Sequence, residues 1–458
     1  MATANDSLAT GDGEQISNLG AILVENEERL AKVPLYYYPE RSAWYGADGN
    51  GAFSKYSDSH AKSYVAAFGI HKRTQDAQGN TPVDRAMLYL QQRNRVSYAG
   101  QLAGYTAGIH KINDARILIT DSPRIIQPQP GDCATIRLLI ESLFFDEHHR
   151  GQATYFYLWL SKSFQTFFQR ITANETKSFR HCPALAIFGP RGCGKTALID
   201  LIIAPLFGGR KADPMNYLRE PKFNKELFAA SILVLDDKGA SASSAERKQR
   251  GEGIKDLIWK PDQRMEGKGV DALNLRPFWR LVIAGNDDDA GLQVCPTLSP
   301  SLEDKLLILR ATKADQLPET NEENDAWAAS IASELPAFAA YLLSWQAPFG
   351  LTLDPRTRLV NFQHPQIVSA LRELQPEMRL LELIDTLGLI DRETPFWEGK
   401  ASEFEAALRR KDSQGIYQNH FGGSSTGRML SELSRTNPEK IKKTDRQGTS
   451  HYKIFRTK

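Results

Sequence analysis

Residues 184–200 read ALAIFGPRGCGKTALID and set Gly189, Gly194, Lys195 and Thr196 at the fixed positions of G-x-x-x-x-G-K-[ST]. Glycines let successive backbone N–H groups turn inward around phosphate oxygens, and a helix starting near Lys195 adds the partial positive charge of its N-terminus. The loop Gly189, Pro190, Arg191, Gly192, Cys193, Gly194, Lys195 and Thr196 is therefore expected to wrap a triphosphate. Lys195 would reach the β- and γ-phosphates, and Thr196 would offer its hydroxyl to Mg²⁺.

Two further apolar runs end in groups suited to the same chemistry. Residues 231–238, SILVLDDK, end in two carboxylates. Asp236 would hold the water shell of the Mg²⁺, and Asp237 would polarise the attacking water as general base. Residues 278–289, FWRLVIAGNDDD, present Asn286, whose amide could bond both the γ-phosphate and that water.

These groups need strands that deliver them to one edge of a sheet. The runs 184–188, 231–235 and 279–284 suit buried parallel strands, and the apolar spacing of 196–206 suits a helix. At 458 residues, two or three domains are expected. The net charge of +2 argues against a wholly basic scaffold. Cys133, Cys182, Cys193 and Cys295 show no C-x-x-C spacing, which suggests neither a zinc site nor a disulfide framework and fits a reduced, cytoplasmic protein. No apolar run long enough to span a bilayer, and no signal peptide, is read. Residues 155–171 carry aromatics at helical spacing, better suited to core packing than to base stacking.

The three motifs, in this order and with the basic segment Arg264–Lys268 between the second and third, resemble superfamily 3 helicases of the AAA+ class. The likeness is to the helicase part of phage and plasmid primase-helicases, over most of the chain and strongest at 183–312. It implies that Gly189, Gly194, Lys195 and Thr196 are the Walker A residues, Asp236 and Asp237 the Walker B pair, and Asn286 the sensor. It further implies ATP as the nucleotide and a hairpin whose tip carries Lys268, with Arg264 beside it, into a central channel for single-stranded DNA. Where the family places a finger arginine that enters a neighbour's site, this chain has Lys305, with Arg310 as a substitute.

At the C-terminal end, residues 426–458 contain nine Lys or Arg against three acids, a net +6. Helical spacing over 377–389, 401–410 and 425–434, then a glycine-turned hairpin over 445–455, predicts a winged helix. Arg428, Arg435, Lys442, Lys443 and Arg446 would face duplex DNA.

The expected architecture is α/β, an AAA+ P-loop NTPase core with an N-terminal α+β accessory domain and a C-terminal winged helix. The divisions read are a disordered start (1–17), an accessory domain (18–145), an ATPase domain (146–345), a linker (346–376) and the winged helix (377–458). The expected activity is ATP-dependent DNA unwinding or translocation by a homo-oligomeric ring, a hexamer, in replication of a mobile element. No primase carboxylate triad is evident before residue 184, so any primase would be a separate partner. The rival is a DNA-binding AAA+ regulator or loader that ATP switches without processive unwinding.

Overall fold

The computed structural model describes residues 29–455 except 71–74, 76–77, 174–180, 221, 237–243, 270, 316, 391–394, 414, 422–425 and 447. The expected disordered start and Asp237 lie outside the described residues.

Aromatic-rich stretches near the N-terminus form an antiparallel meander, β1 (Leu35–Tyr38), β2 (Ala43–Ala47) and β3 (Phe53–Tyr56), covered by helices Asp58–Ala67 and Pro82–Arg93. The second helix begins at a capping box between Thr81 and Asp84, with Pro82 in the first turn, where a missing N–H costs nothing. A second sheet, in the order β4-β6-β5, comprises β4 (Tyr98–Gly100), β5 (Gly108–Ile112) and β6 (Ala115–Ile119). Asn113 and Asp114, both at positive φ, close its tight hairpin.

The central sheet is built from β7 (Ala184–Phe188), β8 (Lys211–Ala212) and β9 (Ile232–Leu235). After a hairpin of β10 (Gln263–Met265) and β11 (Leu273–Leu275), β12 (Arg280–Gly285) and β13 (Leu306–Arg310) complete it. Its order is β13-β7-β12-β9-β8 and every pairing is parallel. Alternation explains the unbroken apolar runs, because both faces are covered. Leu185, Ile187, Val282 and Leu307 enter one core, while Ala186, Phe188, Leu281 and Ile308 enter the other.

Helix Gln152–Thr172 supplies the first core, burying Phe156, Trp159, Leu160, Phe164 and Phe167. Trp159 Nε1 donates to Pro183 O at 2.9 Å, so the aromatic stripe packs against the sheet rather than offering a stacking platform. Helix Asn321–Ser344 joins the same core through Ile331, Leu335, Phe338 and Leu342. By length and composition it could cross a membrane, contrary to the expectation that no stretch could; a third of its apolar window is buried, in the first core. Glu334, on this helix, accepts from the Thr135 and Ile136 N–H groups that open helix Ala134–Leu143.

Residues 346–376 depart from the linker expectation. Gln363 pairs with Ile308 at the β13 edge, and helix Pro365–Glu373 buries Ile367, Val368 and Leu371 in the second core. Each such side chain contributes about 1.5–3 kcal/mol, so this stretch belongs to the sheet's own packing. The remaining chain closes a separate core. Helices Pro376–Thr386, Ala401–Lys411 and Thr426–Thr436 lie where sequence spacing put them, and helix Ile416–Phe421 is added. They pack with a sheet of β14 (Phe396–Lys400), β15 (Ile441–Arg446) and β16 (Thr449–Phe455), in the order β14-β16-β15.

Candidate functional site

The glycine-rich segment leaves the C-terminal end of β7 at Phe188 and re-enters helix at Lys195. Gly189 passes so close to β13 that a Cβ would lie 2.3 Å from Ala311 O, and Gly194 takes φ +111°, so neither position accepts a side chain without strain. Helix continues from Lys195–Ala197 through a wider π turn, Leu198–Ile203, to Ala204–Leu206.

A cavity of about 720 Å³ opens above this loop, within the size range of ligand pockets. Arg191, Gly192, Cys193, Gly194, Lys195 and Thr196 line it, and so do Asp236 at the end of β9 and Asn286 after β12. Thus residues drawn from three separated motifs share one cavity. Gly189 and Pro190 lie beneath it and act through their carbonyls: Lys195 Nζ donates to Gly189 O at 2.7 Å and Pro190 O at 2.8 Å. The same ammonium also reaches Asn286 Oδ1 at 3.5 Å, and Lys195 as a whole is 9% exposed. A buried cation held by neutral oxygens is poised for an incoming anion. Following Asn286, Asp288 caps a short helix by accepting from Gly291 N–H at 2.7 Å, which explains the acidic run at that turn.

Sequence reasoning missed the outer wall of the cavity. Leu317, Pro318, Asn324 and Trp327 close it from the segment that starts helix Asn321–Ser344. A capping box at Thr320 and Glu323 signals the helix start, but nothing local signals that this turn faces the phosphate loop.

Between the acid-bearing and Asn-bearing strands, β10 and β11 form an antiparallel hairpin in the register Arg264↔Asn274. Lys268 is exposed at its tip. Asn224, 4% exposed, fastens the hairpin by donating to Arg264 O at 2.8 Å and accepting from Glu266 N–H at 2.7 Å. The neighbouring Phe223 is 60% exposed at φ +53°, an aromatic next to the residue that fastens the hairpin, which sequence reading overlooked. Arg264 pairs with Glu266 at 2.8 Å, which offsets the charge expected of it. At the hairpin root, Arg276 makes a two-pronged pair with Asp262, and Asn113 of the second sheet donates to the same carboxylate. That pairing holds the Asp262 carboxyl below the usual carboxylate range.

Neither finger residue is presented as expected. Lys305 precedes β13, at the opposite end of the sheet from the phosphate loop, and its amine donates to Asp304 Oδ1 at 2.7 Å and Ser301 O at 2.8 Å. Arg310 stands at the correct end, paired in register with Phe188, but its guanidinium faces Asp146 at 3.7 Å.

In the C-terminal unit, Arg428, Arg435, Lys442, Lys443 and Arg446 are all exposed. Their charge is less open than composition implies. Arg435 pairs with Glu432, Arg446 with Glu398 at 3.1 Å, and Lys443 with Asp445 at 3.9 Å, while Lys442 lies over the Phe455 ring.

Comparison with known proteins bears on the fold. A family profile described as a family of unknown function, DUF5906, matches residues 187–295, from the end of β7 past Asn286. No curated protein matches the sequence. Two apo structures of the NrS-1 C-terminal region align over 92% of this chain and 96% of theirs. Their TM-scores are 0.51 and 0.50, at 14% and 13% identity. A structure described as SCCmec type IV Cch, active helicase, aligns over 92% of this chain and 93% of its own, at TM-score 0.41 and 10% identity. The chain thus shares the mixed α/β fold of the NrS-1 C-terminal region, with a parallel sheet of the kind that serves nucleotide-binding cores.

Proposed function

We propose that this chain is an ATP-dependent DNA helicase or translocase of superfamily 3 type, acting as a homo-oligomeric ring, a hexamer, in replication of a mobile element. The observation that carries the reading is the cavity shared by Lys195, Thr196, Asp236 and Asn286 at the C-terminal edge of a parallel sheet. The hairpin with Lys268 at its tip, set between the two catalytic strands, extends the reading from nucleotide hydrolysis to strand movement.

The residues fit Mg-ATP. Lys195 can exchange the Gly189 and Pro190 carbonyls for phosphate oxygens without moving its helix. Thr196 and Asp236 would hold Mg²⁺, which would supply charge neutralisation at the phosphates. Asp237 would take the proton of the attacking water, and Asn286 would orient that water. Because Lys195 already touches Asn286, phosphate entry alters the amide's surroundings directly, which suits a sensor. Lys268 and Phe223 would contact single-stranded DNA by charge and stacking. The C-terminal unit is read as a winged helix on duplex DNA, the described residues up to 145 as the accessory domain and 146–376 as the ATPase domain. A cytoplasmic setting accords with four unpaired cysteines, and a separate primase would complete the replication machinery.

One observation favours a second reading, a DNA-binding AAA+ regulator or loader: Lys305 and Arg310 both face carboxylates of their own chain. Strand displacement on a forked substrate with ATP separates the two. Displacement supports the motor; ATP-dependent binding without displacement supports the switch.

A further inference from the structure

Away from the nucleotide cavity, side chains from two distant stretches converge beside the β13 edge. Asp146 and His149 lie in the turn between helices Ala134–Leu143 and Gln152–Thr172, and His364 immediately precedes helix Pro365–Glu373. One nitrogen or carboxylate oxygen from each lies within 4.8 Å of the other two. We propose that Asp146, His149 and His364 form a binding site for a divalent transition-metal ion of the zinc type, with a fourth position open to water or a further ligand.

The donor set is the first argument. Two imidazoles and one carboxylate suit zinc-like ions and are poor ligands for Mg²⁺, which takes oxygen. Spacing is the second. Asp146 Oδ2 and His364 Nε2 are 3.2 Å apart, close to the roughly 3.3 Å edge of a tetrahedron with metal–ligand bonds of about 2.0 Å. The His149 ring stands edge-on to that of His364 with centroids 4.8 Å apart. His149 is only half-buried, which leaves its ring room to turn toward the third vertex.

Support behind the ligands is the third argument. Asp146 Oδ1 accepts from the His148 and His149 N–H groups, both at 2.9 Å, which leaves Oδ2 for the ion. The His364 backbone N–H is held by Ile308 O at 2.9 Å, and its side chain has no exposed surface. His364 Nδ1 has no hydrogen-bond partner among the described residues, so shifting the ring proton there when Nε2 takes the ion breaks no bond at Nδ1.

The competing cation is Arg310, 3.7 Å from Asp146 Oδ2, with a side chain one-third exposed. A directly bonded dication displaces so long a pair, and the guanidinium can swing to solvent. Ion binding would therefore release Arg310 at the C-terminal end of β13.

The test is Co²⁺ titration of the full-length, nucleotide-free protein, read by visible absorption. The expected result is one equivalent of intense tetrahedral bands, displaced by Zn²⁺ and untouched by excess Mg²⁺. Thiolate charge-transfer absorption should be absent, which separates this site from the four cysteines. His149→Ala and Asp146→Asn should each weaken binding about a hundredfold or more, since even outer partners of metal ligands are worth 10–100-fold. Asp146→Asn keeps an oxygen for the two backbone donors, so the fold has its support. Only weak octahedral bands, loss of the signal to Mg²⁺, no saturation at micromolar ion, or unchanged affinity in both variants would overturn the assignment.

Discussion

The ammonium of Lys195 touches the amide of Asn286, 3.5 Å from Nζ to Oδ1, and so joins the phosphate loop to the tip of the strand beside it. On the proposed function, Lys195→Ala removes a charge-assisted partner of the β- and γ-phosphates, worth about 1.5–3 kcal/mol as a hydrogen bond alone. Nucleotide binding, followed with a fluorescent ATP analogue, should weaken by at least about tenfold. Asp237→Asn should instead keep Mg-ATP bound while turnover stops. Normal hydrolysis by either variant would remove these residues from the proposed mechanism.

Lys268→Ala leaves the cavity of Lys195, Asp236 and Asn286 intact, because the residue sits at the exposed hairpin tip. Basal ATPase should persist while stimulation by single-stranded DNA disappears. Undiminished stimulation would make the tip a plain surface loop.

Asn224→Ala strips two hydrogen bonds from the hairpin and leaves the Arg264 carbonyl and Glu266 N–H without that partner. A stability loss of about 1–3 kcal/mol is expected from groups left unsatisfied. Chemical denaturation should show it as a lower midpoint, accompanied by weaker DNA stimulation.

The Asp262–Arg276 pair sets a pH dependence. The folded-state pKa of Asp262 is lowered, chiefly by the hydrogen bond from Arg276, so its contribution is complete above the unfolded value near about 3.9. It is lost as pH falls through the folded value. The stability gap between the native chain and Asp262→Asn should therefore be widest near neutrality and close in acid. A gap that stays constant with pH would contradict the pairing.

Removing the C-terminal unit should lower duplex DNA affinity and flatten its salt dependence by nearly one log unit for each phosphate no longer neutralised. The cut belongs after Gln375, since an earlier one strips Ile367, Val368 and Leu371 from the core. Identical salt slopes for full-length and shortened protein would mean that the C-terminal charge is merely solvated. The internal pairs of Arg435, Lys443 and Arg446 predict a slope smaller than composition suggests.

What could be read beforehand was local. The strands ending at Phe188, Leu235 and Gly285 show as apolar runs because both sheet faces are covered, and the groups that follow them meet because the strands are parallel. The hidden features depend on partners far along the chain. Gln363 becomes part of the sheet only through Ile308, Trp327 reaches the cavity only because its helix packs on the sheet, and β14 exists only through β16. Lys305 and Arg310 differ by five positions, one strand's length, which places them at opposite ends of the sheet.

The hairpin is tethered at both ends to the amino-terminal sheets. Arg41 donates to the Lys268 carbonyl at 2.7 Å, and Asn113 holds Asp262 at the root. Any travel of the tip must drag those sheets along or snap the Arg41 clasp. The amino-terminal region is in this respect a gauge needle geared to the hairpin, and a pair of dyes placed across the clasp would read its stroke.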